Sequence, residues 1–564
     1  MNKLVSITLC FIFSALNITA QQWQWAKSGG SPGPAFNNVE ETARYMTTDK
    51  WGNIYLIGNA YQSGMNVDGQ SLNGFGYDDI VLTSFTCSGT YRWSKVIGTS
   101  MPDFANAVVH ADSLGGVYLS CMLSVTGTTA YFDSDTTVAN SYKSFYLIKY
   151  DSAGTYQWLR MPQADTVTSS SYFTYAIDID GDGSGNVDLF CQLQPGAYGN
   201  GAFVANDTGT YVLRYNAQGN LTGGTQVPIL VTEYAQSCIK MKRDYNSGRY
   251  YFAGSAGVSV PGTVAINGVP FNNSQYVVAV NSQGQFLWLK NDNGTLNSFN
   301  GRPALDDSGN VYVTGYGRTG DAFNGYTYNT TYTSGPMVAS LDSNGTNRWV
   351  QYALTNASTR GYGIIHRNAH EVVMVGGYSG KVEWPGYSGP HPMHGINQNY
   401  DVFITSFNTH TGMVNDVDTL GGIFGGFDEA TWVAADGNGN IYVAGRYGGS
   451  LYVGTADTLQ LTGGQSDFFV AKHGYPGCAP QSVNELVISS DIVVYPNPVT
   501  ELLQIQGLTA QTSYRLLSIT GVVVQVGILQ PDSKGISTDR LAPAMYILEL
   551  QNKEQWAAMR IMKQ

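Results

Sequence analysis

Three carboxylates at alternate positions form the clearest candidate metal site in this sequence. Asp178, Asp180 and Asp182 stand just before a glycine, and Asp188 follows them. Calcium takes six to eight oxygen ligands, and such a run offers several of them within one tight turn. The sequence therefore predicts a calcium site at Asp178, Asp180 and Asp182. The alternative is that Asp182 only caps the backbone N–H groups of a turn that ends at Asn186.

Four of the seven histidines lie near one another in the sequence and form a second candidate site. They are His366, His370, His391 and His394. Imidazole groups bind zinc and copper. However, alternate strand positions do not converge on one ion as residues on one helix face do. Surface histidines are therefore the favoured interpretation, and a transition-metal site is the alternative.

Recognisable catalytic chemistry is sparse. The sequence contains no Walker loop and no H-E-x-x-H zinc motif. No residues identify a cofactor site of the kind that a quinone-dependent enzyme needs. We therefore assign no catalytic residues, and a binding protein is favoured over an enzyme. An enzyme whose site is assembled from scattered loops stays the alternative.

The composition favours strands and argues against two classes of partner. Only 12% of the 564 residues are charged, whereas glycine occupies 67 positions and tyrosine 38. Glycine and tyrosine favour turns and strands rather than helices. The net charge is −12 and no basic run is present. Binding to nucleic acid or to an anionic membrane surface is therefore not expected.

The first twenty residues have the pattern of a secretory signal peptide. Lys3 precedes an apolar run over 4–16, and a small residue, Ala20, ends the segment. No later segment approaches the roughly 20 apolar residues that a membrane-spanning helix needs. The sequence therefore predicts an exported chain with a signal peptide at 1–20 and no transmembrane segment.

The cysteines predict neither a disulfide framework nor a structural zinc site. Removal of the signal leaves an odd number with wide spacings and no C-x-x-C pair, namely Cys87, Cys121, Cys191, Cys238 and Cys478. Cys121, Cys191 and Cys238 lie in strand-like runs. We expect these three to be small buried apolar residues.

One unit repeats seven times along most of the chain. Its signature, Asp-x-x-Gly-Asn followed by an apolar strand that ends in glycine, is clearest at 49–58, 306–315 and 436–445. The turn positions of all seven copies are 52, 115, 185, 248, 309, 370 and 439. Such even spacing indicates an internal repeat architecture.

Each unit predicts four antiparallel strands. The first strand consists of small residues and is joined to the second strand by the signature turn. A long connection leads from the second strand to the third. A second tight turn then joins the third strand to a fourth strand, which usually carries tryptophan. Four-stranded units repeated about an axis are the blades of a β-propeller. The seventh unit lacks its fourth strand, but the segment beginning at Gln22 has the missing pattern. The sequence therefore predicts an all-β fold: a seven-bladed β-propeller over 21–475, closed by its N-terminal strand.

The repeats resemble the SBBP family of seven-bladed propeller repeats in exported bacterial proteins. Two copies depart from the pattern, because the third has Leu221 in place of tryptophan and the sixth lacks both the turn motif and the tryptophan. The resemblance implies an architecture but no particular activity. The run from Asp178 to Asp182 also resembles the calcium loops of integrin-type propellers.

The last part of the chain has a different character. After a linker at 476–490, the segment 491–564 opens with Tyr-Pro-Asn-Pro and shows strands of period two, which predict a small antiparallel, Ig-like β-sandwich of about seven strands. The segment resembles the type A C-terminal sorting domain of the type IX secretion system. That resemblance implies handling by an outer-membrane export machine of Bacteroidota-type bacteria, usually with removal of the domain. An ordinary adhesion module is the alternative.

Together these features predict an exported binding or adhesion protein, either secreted or attached to the cell surface. The long connections between second and third strands are rich in aromatic and polar residues, and connecting loops on a rigid scaffold are common recognition sites. We expect a glycan or a protein ligand there, with Tyr326, Tyr328 and Trp384 among the contacts. A carbohydrate-active or quinone-dependent propeller enzyme is the alternative.

Overall fold

All regular secondary structure in the computed structural model of this chain is β-strand. The model describes residues 22–32, 41–61, 64–103, 107–124, 128–139, 145–166, 175–231, 239–256, 264–271, 274–291, 301–328, 335–357, 359–390, 400–422, 426–454, 457–474, 478, 493–508, 510–518, 523–533, 535–551 and 556–564. These residues contain no helix, so the all-β prediction is confirmed. The predicted signal peptide and nearly all of the predicted linker lie outside the described residues.

The chain divides into two compact units, Met1–Cys478 and Ala479–Gln564. In the first unit, seven four-stranded antiparallel sheets follow one another. In each of sheets 1 to 6 the four strands are neighbours in chain order. The first and second strands are joined by the signature turn, and the third and fourth by the second tight turn. One end of every sheet therefore carries the two tight turns, which we call the turn end. The other carries the long connections, which we call the connection end.

The strands of the first three sheets, in chain order, are Ala43–Thr48, Ile54–Tyr61, Asp78–Phe85 and Tyr91–Gly98; Ala107–Ala111, Gly116–Met122, Phe145–Asp151 and Tyr156–Arg160; Tyr175–Gly181, Val187–Leu193, Gly209–Tyr215 and Leu221–Gln226. Those of sheets 4 to 6 are Ile239–Arg243, Tyr250–Ala256, Ser274–Val280 and Phe286–Asn291; Ala304–Leu305, Val311–Gly317, Gly335–Leu341 and Asn347–Tyr352; Thr359–Asn368, Glu371–Tyr378, Asp401–Asn408 and Val414–Leu420. Sheet 7 consists of Glu429–Ala435, Ile441–Tyr447, Asp467–Gly474 and Gln22–Gly30.

Short strands extend the connection end of each sheet. They are Met65–Val67, Gln70–Leu72, Ala130–Phe132, Thr136–Val138, Gly196–Tyr198, Phe203–Ala205, Ile229–Val231, Val264–Ile266, Val269–Phe271, Ala322–Phe323, Tyr326–Thr327, Leu354–Thr355, Val382–Glu383, Ser450–Val453 and Asp457–Gln460. Two of the resulting hairpins pair with the fourth strand of the preceding sheet, since Met65–Val67 pairs with Gln22–Gly30 and Ala130–Phe132 pairs with Tyr91–Gly98. These hairpins tie adjacent sheets together.

The N-terminal strand completes sheet 7, as the sequence predicts. Gln22–Gly30 pairs antiparallel with Asp467–Gly474, with Trp25 opposite Lys472 and Lys27 opposite Val470. Without this strand, the edge of Asp467–Gly474 would present unpaired backbone groups. The two ends of the repeat region therefore meet in one sheet.

The signature motif is explained by one buried carboxylate. In sheet 1, Asp49 accepts hydrogen bonds from the backbone N–H groups of Trp51 and Asn53, both at 2.9 Å. Its other oxygen accepts from the Asn53 side chain at 2.8 Å and from the Tyr55 hydroxyl at 2.9 Å. Asp306 and Asp436 are bonded in the same way. The motif therefore specifies a fully bonded turn rather than a ligand site.

Tryptophans on the fourth strands join neighbouring sheets. The indole N–H of Trp93 in sheet 1 donates to the carbonyl oxygen of Ser152 in sheet 2 at 3.0 Å. Gly154 lies against the indole with φ of 81°, and a Cβ there would come within 2.7 Å of the ring. The bond recurs at five junctions, with the donor and acceptor residues Trp25 and Cys87, Trp93 and Ser152, Trp158 and Ala217, Trp288 and Ser343, and Trp349 and Thr409. We call this contact the indole latch.

Buried apolar clusters fill the spaces between the sheets. One cluster contains side chains of sheet 7 and of sheets 1, 2 and 3. Four others link sheets 3 and 4, 4 and 5, 5 and 6, and 6 and 7. Every sheet thus packs against the next one, and sheet 7 packs against sheet 1.

The cysteine predictions were partly wrong. Cys121 and Cys191 are buried and free, as expected, whereas Cys238 lies outside the described residues. Cys87 and Cys478, however, form a disulfide across 391 residues of sequence. Wide spacing along the chain argued against a disulfide, but the fold brings these distant residues to a Cα–Cα distance of 5.6 Å. Such a bond fits an oxidising compartment.

The described residues of the second unit contain seven strands, in agreement with the predicted number of about seven. They form a three-stranded sheet of Val493–Tyr495, Leu502–Gln506 and Ile536–Ser537, and a four-stranded sheet of Val523–Leu529, Thr512–Ser518, Ala544–Gln551 and Trp556–Lys563. The two sheets share one buried core that includes Leu503, Leu516 and Leu548.

Deletion of residues 22–28 tests the N-terminal pairing. The change exposes the edge of Asp467–Gly474 and removes the Trp25 latch, so we expect aggregation or a broad, early melting transition. Differential scanning calorimetry of the mature chain measures this. Gln24→Ala, which keeps the strand, should melt near the wild-type temperature. An unchanged transition after the deletion would show that the strand is dispensable.

Candidate functional site

Asp182, one of the three predicted calcium ligands, is bonded within its own turn. It accepts from the backbone N–H groups of Ser184 at 2.8 Å and Asn186 at 3.2 Å, and from the Asn186 side chain at 2.7 Å. These bonds match the alternative interpretation, in which the residue caps the signature turn.

Asp178 and Asp180 lie on the first strand of sheet 3, and their side chains are fully buried. Asp178 accepts from the backbone N–H of Met241 at 2.7 Å and from the guanidinium of Arg302 at 2.8 Å. Asp180 accepts from the Lys242 ammonium at 2.9 Å and from the backbone N–H of Arg243 at 2.9 Å. The two carboxylates therefore bind the first strand of sheet 4 and the segment before sheet 5 to sheet 3.

Tyr45 completes this network from sheet 1. Its hydroxyl donates to Asp178, its ring lies 5.4 Å from the Arg302 guanidinium, and its ring centroid lies 4.0 Å from that of Trp432. Burial raises the pKa of Tyr45 well above its ordinary value, with the neighbouring Asp178 acting in the same direction. The hydroxyl therefore stays protonated and acts as a donor at neutral pH.

The positive charges of Lys242 and Arg302 keep the carboxyl group of Asp180 ionised. Burial alone would raise the pKa of this carboxyl group, but the nearby charges of Lys242 and Arg302 lower it to about 2. A lowered pKa in the folded state means that this group contributes stability above its unfolded pKa. That contribution is lost as the pH falls towards about 2.

This network borders a cavity of about 320 Å³ at which the first strands of all seven sheets meet. One wall is polar and includes His110, Asp180, Lys242 and Arg302. The remaining wall is mostly apolar and is formed by residues 46–48, 303–305, 363–366 and 432–435. The lining residues of every sheet lie close to the signature turn, so the cavity is at the turn end. We call it the central cavity.

The two histidines that line the cavity each have an unused ring nitrogen. Nε2 of His110 and Nε2 of His366 are buried and have no hydrogen-bond partner in the part of the chain that the structure describes. Burial lowers the pKa of His110 to about 4, so this imidazole is neutral at pH 7. Of the four histidines singled out in the sequence, His370 is exposed in a turn, and His391 and His394 lie outside the described residues. Among the described residues of the predicted histidine cluster, His366 lines this cavity and His370 does not.

Metal binding receives no geometric support within the described ranges. Among them, no three histidine, cysteine, aspartate or glutamate side chains are grouped so that they could hold a metal ion. Calcium coordination by Asp178, Asp180 and Asp182 stays a prediction, but each carboxylate has another role in the fold.

Sequence reasoning missed Tyr45, His110, Lys242 and Arg302. None of them belongs to the repeated motif, and each occupies a first strand or the segment before one. The available signal was the presence of charged or aromatic side chains on strands that otherwise consist of small residues.

Two of the predicted contact residues on the long connections are not accessible. Tyr328 is 1% exposed and donates to the carbonyl oxygen of Ala353 at 2.9 Å, and Trp384 is 2% exposed. Both fill cores behind the connections, so the expectation that they contact a ligand was wrong. Tyr326, which is 46% exposed, remains available.

Arg302→Met tests the buried charge network. The change leaves Asp178 and Asp180 without this cation, and breaking a buried pair costs about 3–5 kcal/mol of unfolding free energy. Urea unfolding at pH 7 should show this loss. Lys381→Met, which breaks a half-exposed pair with Glu383, should cost less than about 1 kcal/mol. Equal losses in the two variants would contradict a structural role for the network.

Chelation tests calcium at Asp178, Asp180 and Asp182. A bound ion stabilises the folded state by about 2.7 kcal/mol at a hundredfold excess over its dissociation constant. The pairing of Asp178 and Asp180 with Arg302 and Lys242 predicts instead that EDTA leaves the melting temperature of calcium-loaded protein unchanged. A fall that Asp182→Ala abolishes would establish the calcium site.

Comparison with known proteins identifies the second unit. Residues 493–564 match the family described as the secretion system C-terminal sorting domain. No curated protein matches the chain. The described residues include no helix long and apolar enough to cross a membrane.

Several solved structures are similar to this chain at low sequence identity and low TM-score. A protein of unknown function from Dyadobacter fermentans is 11% identical, with a TM-score of 0.35, over 81% of this chain and all of that one. PorZ, an essential surface component of the type IX secretion system of Porphyromonas gingivalis, is 11% identical, with a TM-score of 0.20, over 93% of this chain and 81% of that one. A DUF4221 family member from Bacteroides vulgatus is 7% identical, with a TM-score of 0.29, over 80% of this chain and 97% of that one.

The sorting domain settles the destination of the protein. It marks chains that the type IX secretion system exports, which are extracellular or attached to the cell surface. The protein is therefore a secreted or surface-attached all-β protein that carries a C-terminal type IX sorting domain.

Proposed function

We propose that the first unit is a closed seven-bladed β-propeller that works at the cell surface as a binding or adhesion protein for a glycan or a protein. The repeats would then be of the SBBP type that the sequence predicts. The observation that carries the proposal is the concentration of exposed apolar side chains at the connection end.

Three features support a closed ring. Apolar clusters join each sheet to the next and join sheet 7 to sheet 1. The N-terminal strand lies in sheet 7, and its Trp25 forms an indole latch to sheet 1. The disulfide adds a covalent link between Cys87 and Cys478. A ring of this kind has no open sheet edge at its closing point.

The connection end offers a surface suited to recognition. Most of the large apolar side chains that are exposed in the first unit lie in connections or hairpins at this end. They are Tyr77, Met101, Val204, Leu230, Val269, Tyr326, Phe427 and Tyr452. Exposed aromatic rings with neighbouring polar groups suit the flat faces of sugars and the surfaces of proteins.

Replacement of exposed aromatics tests the binding surface. The double variant Tyr77→Ser and Tyr326→Ser should lose binding to its ligand on a glycan array or in a surface-protein binding assay, while its melting temperature stays near that of the wild type. Both side chains are about half exposed, so their removal has little effect on the core.

The matched control lies at the turn end. Leu114 and Met413 are apolar residues in the tight turns of sheets 2 and 6, and both are more exposed than Tyr77 and Tyr326. Leu114→Ser with Met413→Ser should leave binding unchanged. Loss of binding in this control, with retention in the first variant, would place the ligand at the turn end and overturn the proposal.

Removal of the sorting domain tests whether the first unit folds without the second unit and whether the second unit is needed for export. A chain that ends at Ser490 keeps Cys478 and the whole repeat region, so we expect near-normal thermal stability. In the native host this chain should accumulate in the periplasm, whereas the full chain should reach the surface or the medium. Cell fractionation with intact-mass measurement follows both forms. Equal export, or failure of the shortened chain to fold, would contradict the account.

A further inference from the structure

The polar wall of the central cavity has hydrogen-bond donors to spare. The Lys242 ammonium carries three hydrogens, and its one hydrogen bond in the described structure goes to Asp180 at 2.9 Å. Arg302 uses Nε and Nη2 on Asp178 and on the carbonyl oxygen of Ile179. Its Nη1 lies 3.7 Å from Asp180 Oδ1, beyond hydrogen-bond distance. Both cations therefore have N–H groups available to a ligand.

The carboxylate oxygens at the same wall are already used. Both oxygens of Asp178 and both oxygens of Asp180 accept hydrogen bonds from protein groups. These two side chains are fully buried, whereas those of Lys242 and Arg302 are 32% and 17% exposed. A molecule in the cavity thus meets the cations before the carboxylates. This order of charges favours an acceptor group with negative charge.

The two cations converge on one point. Lys242 Nζ and Arg302 Nη1 both approach the same atom, Asp180 Oδ1, at 2.9 Å and 3.7 Å. A carboxylate on the cavity side could accept from both nitrogens at once, and charge-assisted bonds of this kind are the stronger class. The site therefore has the geometry of a clamp for a single carboxylate.

The apolar part of the cavity lining determines what the rest of the ligand can be. Met46, Ile364 and Trp432 belong to this wall and are apolar. The volume of about 320 Å³ lies within the range of small-molecule sites, which combine apolar walls with a few placed polar groups. A bare inorganic anion would leave the apolar wall without contacts.

We propose that the central cavity binds a small organic carboxylate with an apolar body. The carboxylate lies between Lys242 and Arg302, and the body packs against the wall that includes Trp432. This site is at the turn end and is separate from the recognition surface at the connection end. It does not depend on what the connection end binds.

Calorimetric titration of the mature chain with benzoate tests the proposal. We expect saturable binding of benzoate, and no binding of benzamide, which has the same shape without the charge. Galacturonate and inorganic phosphate are the other probes. If galacturonate or phosphate binds and benzoate does not, the claim that the ligand has an apolar body is wrong. If none of the four probes binds, the claim that the cavity is a binding site is wrong.

Two variants locate the binding. Lys242→Met removes one arm of the clamp and should weaken benzoate binding about tenfold or more, as loss of a charged hydrogen bond does. Thr47→Phe places a ring in the cavity wall, keeps both cations and should also abolish binding. If Lys242→Met does not fold, the Thr47→Phe result decides. Benzoate binding that survives in folded Thr47→Phe would show that the ligand lies elsewhere.

Discussion

The indole latch is the contact on which the first unit depends. Each latch combines one hydrogen bond, from an indole N–H to a backbone carbonyl, with a glycine turn that fits against the ring. A repeat cannot bury its own faces, so stability has to come from the junctions between sheets. The latch fixes the separation of two sheets at their outer strands, while the apolar clusters fill the space further in. Where the tryptophan is absent, in sheets 3 and 6, the apolar clusters hold the junction without it.

The N-terminal strand uses the same contact to join sheet 7 to sheet 1. Trp25 on the N-terminal strand forms its latch with Cys87 of sheet 1, and Cys87 is also bonded to Cys478. The same turn of sheet 1 thus accepts a hydrogen bond from Trp25 of the N-terminal strand and forms a disulfide with Cys478 at the end of the repeats. This arrangement suits a protein that leaves the reducing cytoplasm, because an oxidising compartment preserves the covalent link. The central cavity lies where the first strands of all seven sheets meet, and charged side chains line part of it.

The repeats predicted the strands and tight turns of the first unit because their signal is local and recurs. The Asp49 turn, the Trp93 latch and the N-terminal strand all belong to motifs that can be read within a dozen residues. The disulfide and the network of Asp178 with Tyr45 and Arg302 join residues far apart in sequence, and a single sequence carries no signal for such pairings. Tyr328 and Trp384 looked like surface aromatics because they lie in connections, yet the hairpins fold back and bury them. The sequence does not predict which connection residues turn inwards, and it shows the charged residues of the first strands without showing how they pair.

Urea unfolding of Trp25→Phe and Trp93→Phe tests closure most directly. The two changes remove the same indole donor, one at the closing junction and one within the series of sheets, and leave a buried carbonyl without its partner. In a closed ring both variants should lose about 1–3 kcal/mol of unfolding free energy. If Trp93→Phe shows this loss while Trp25→Phe is as stable as the wild type, the N-terminal strand is a peripheral addition and the ring is not closed through it.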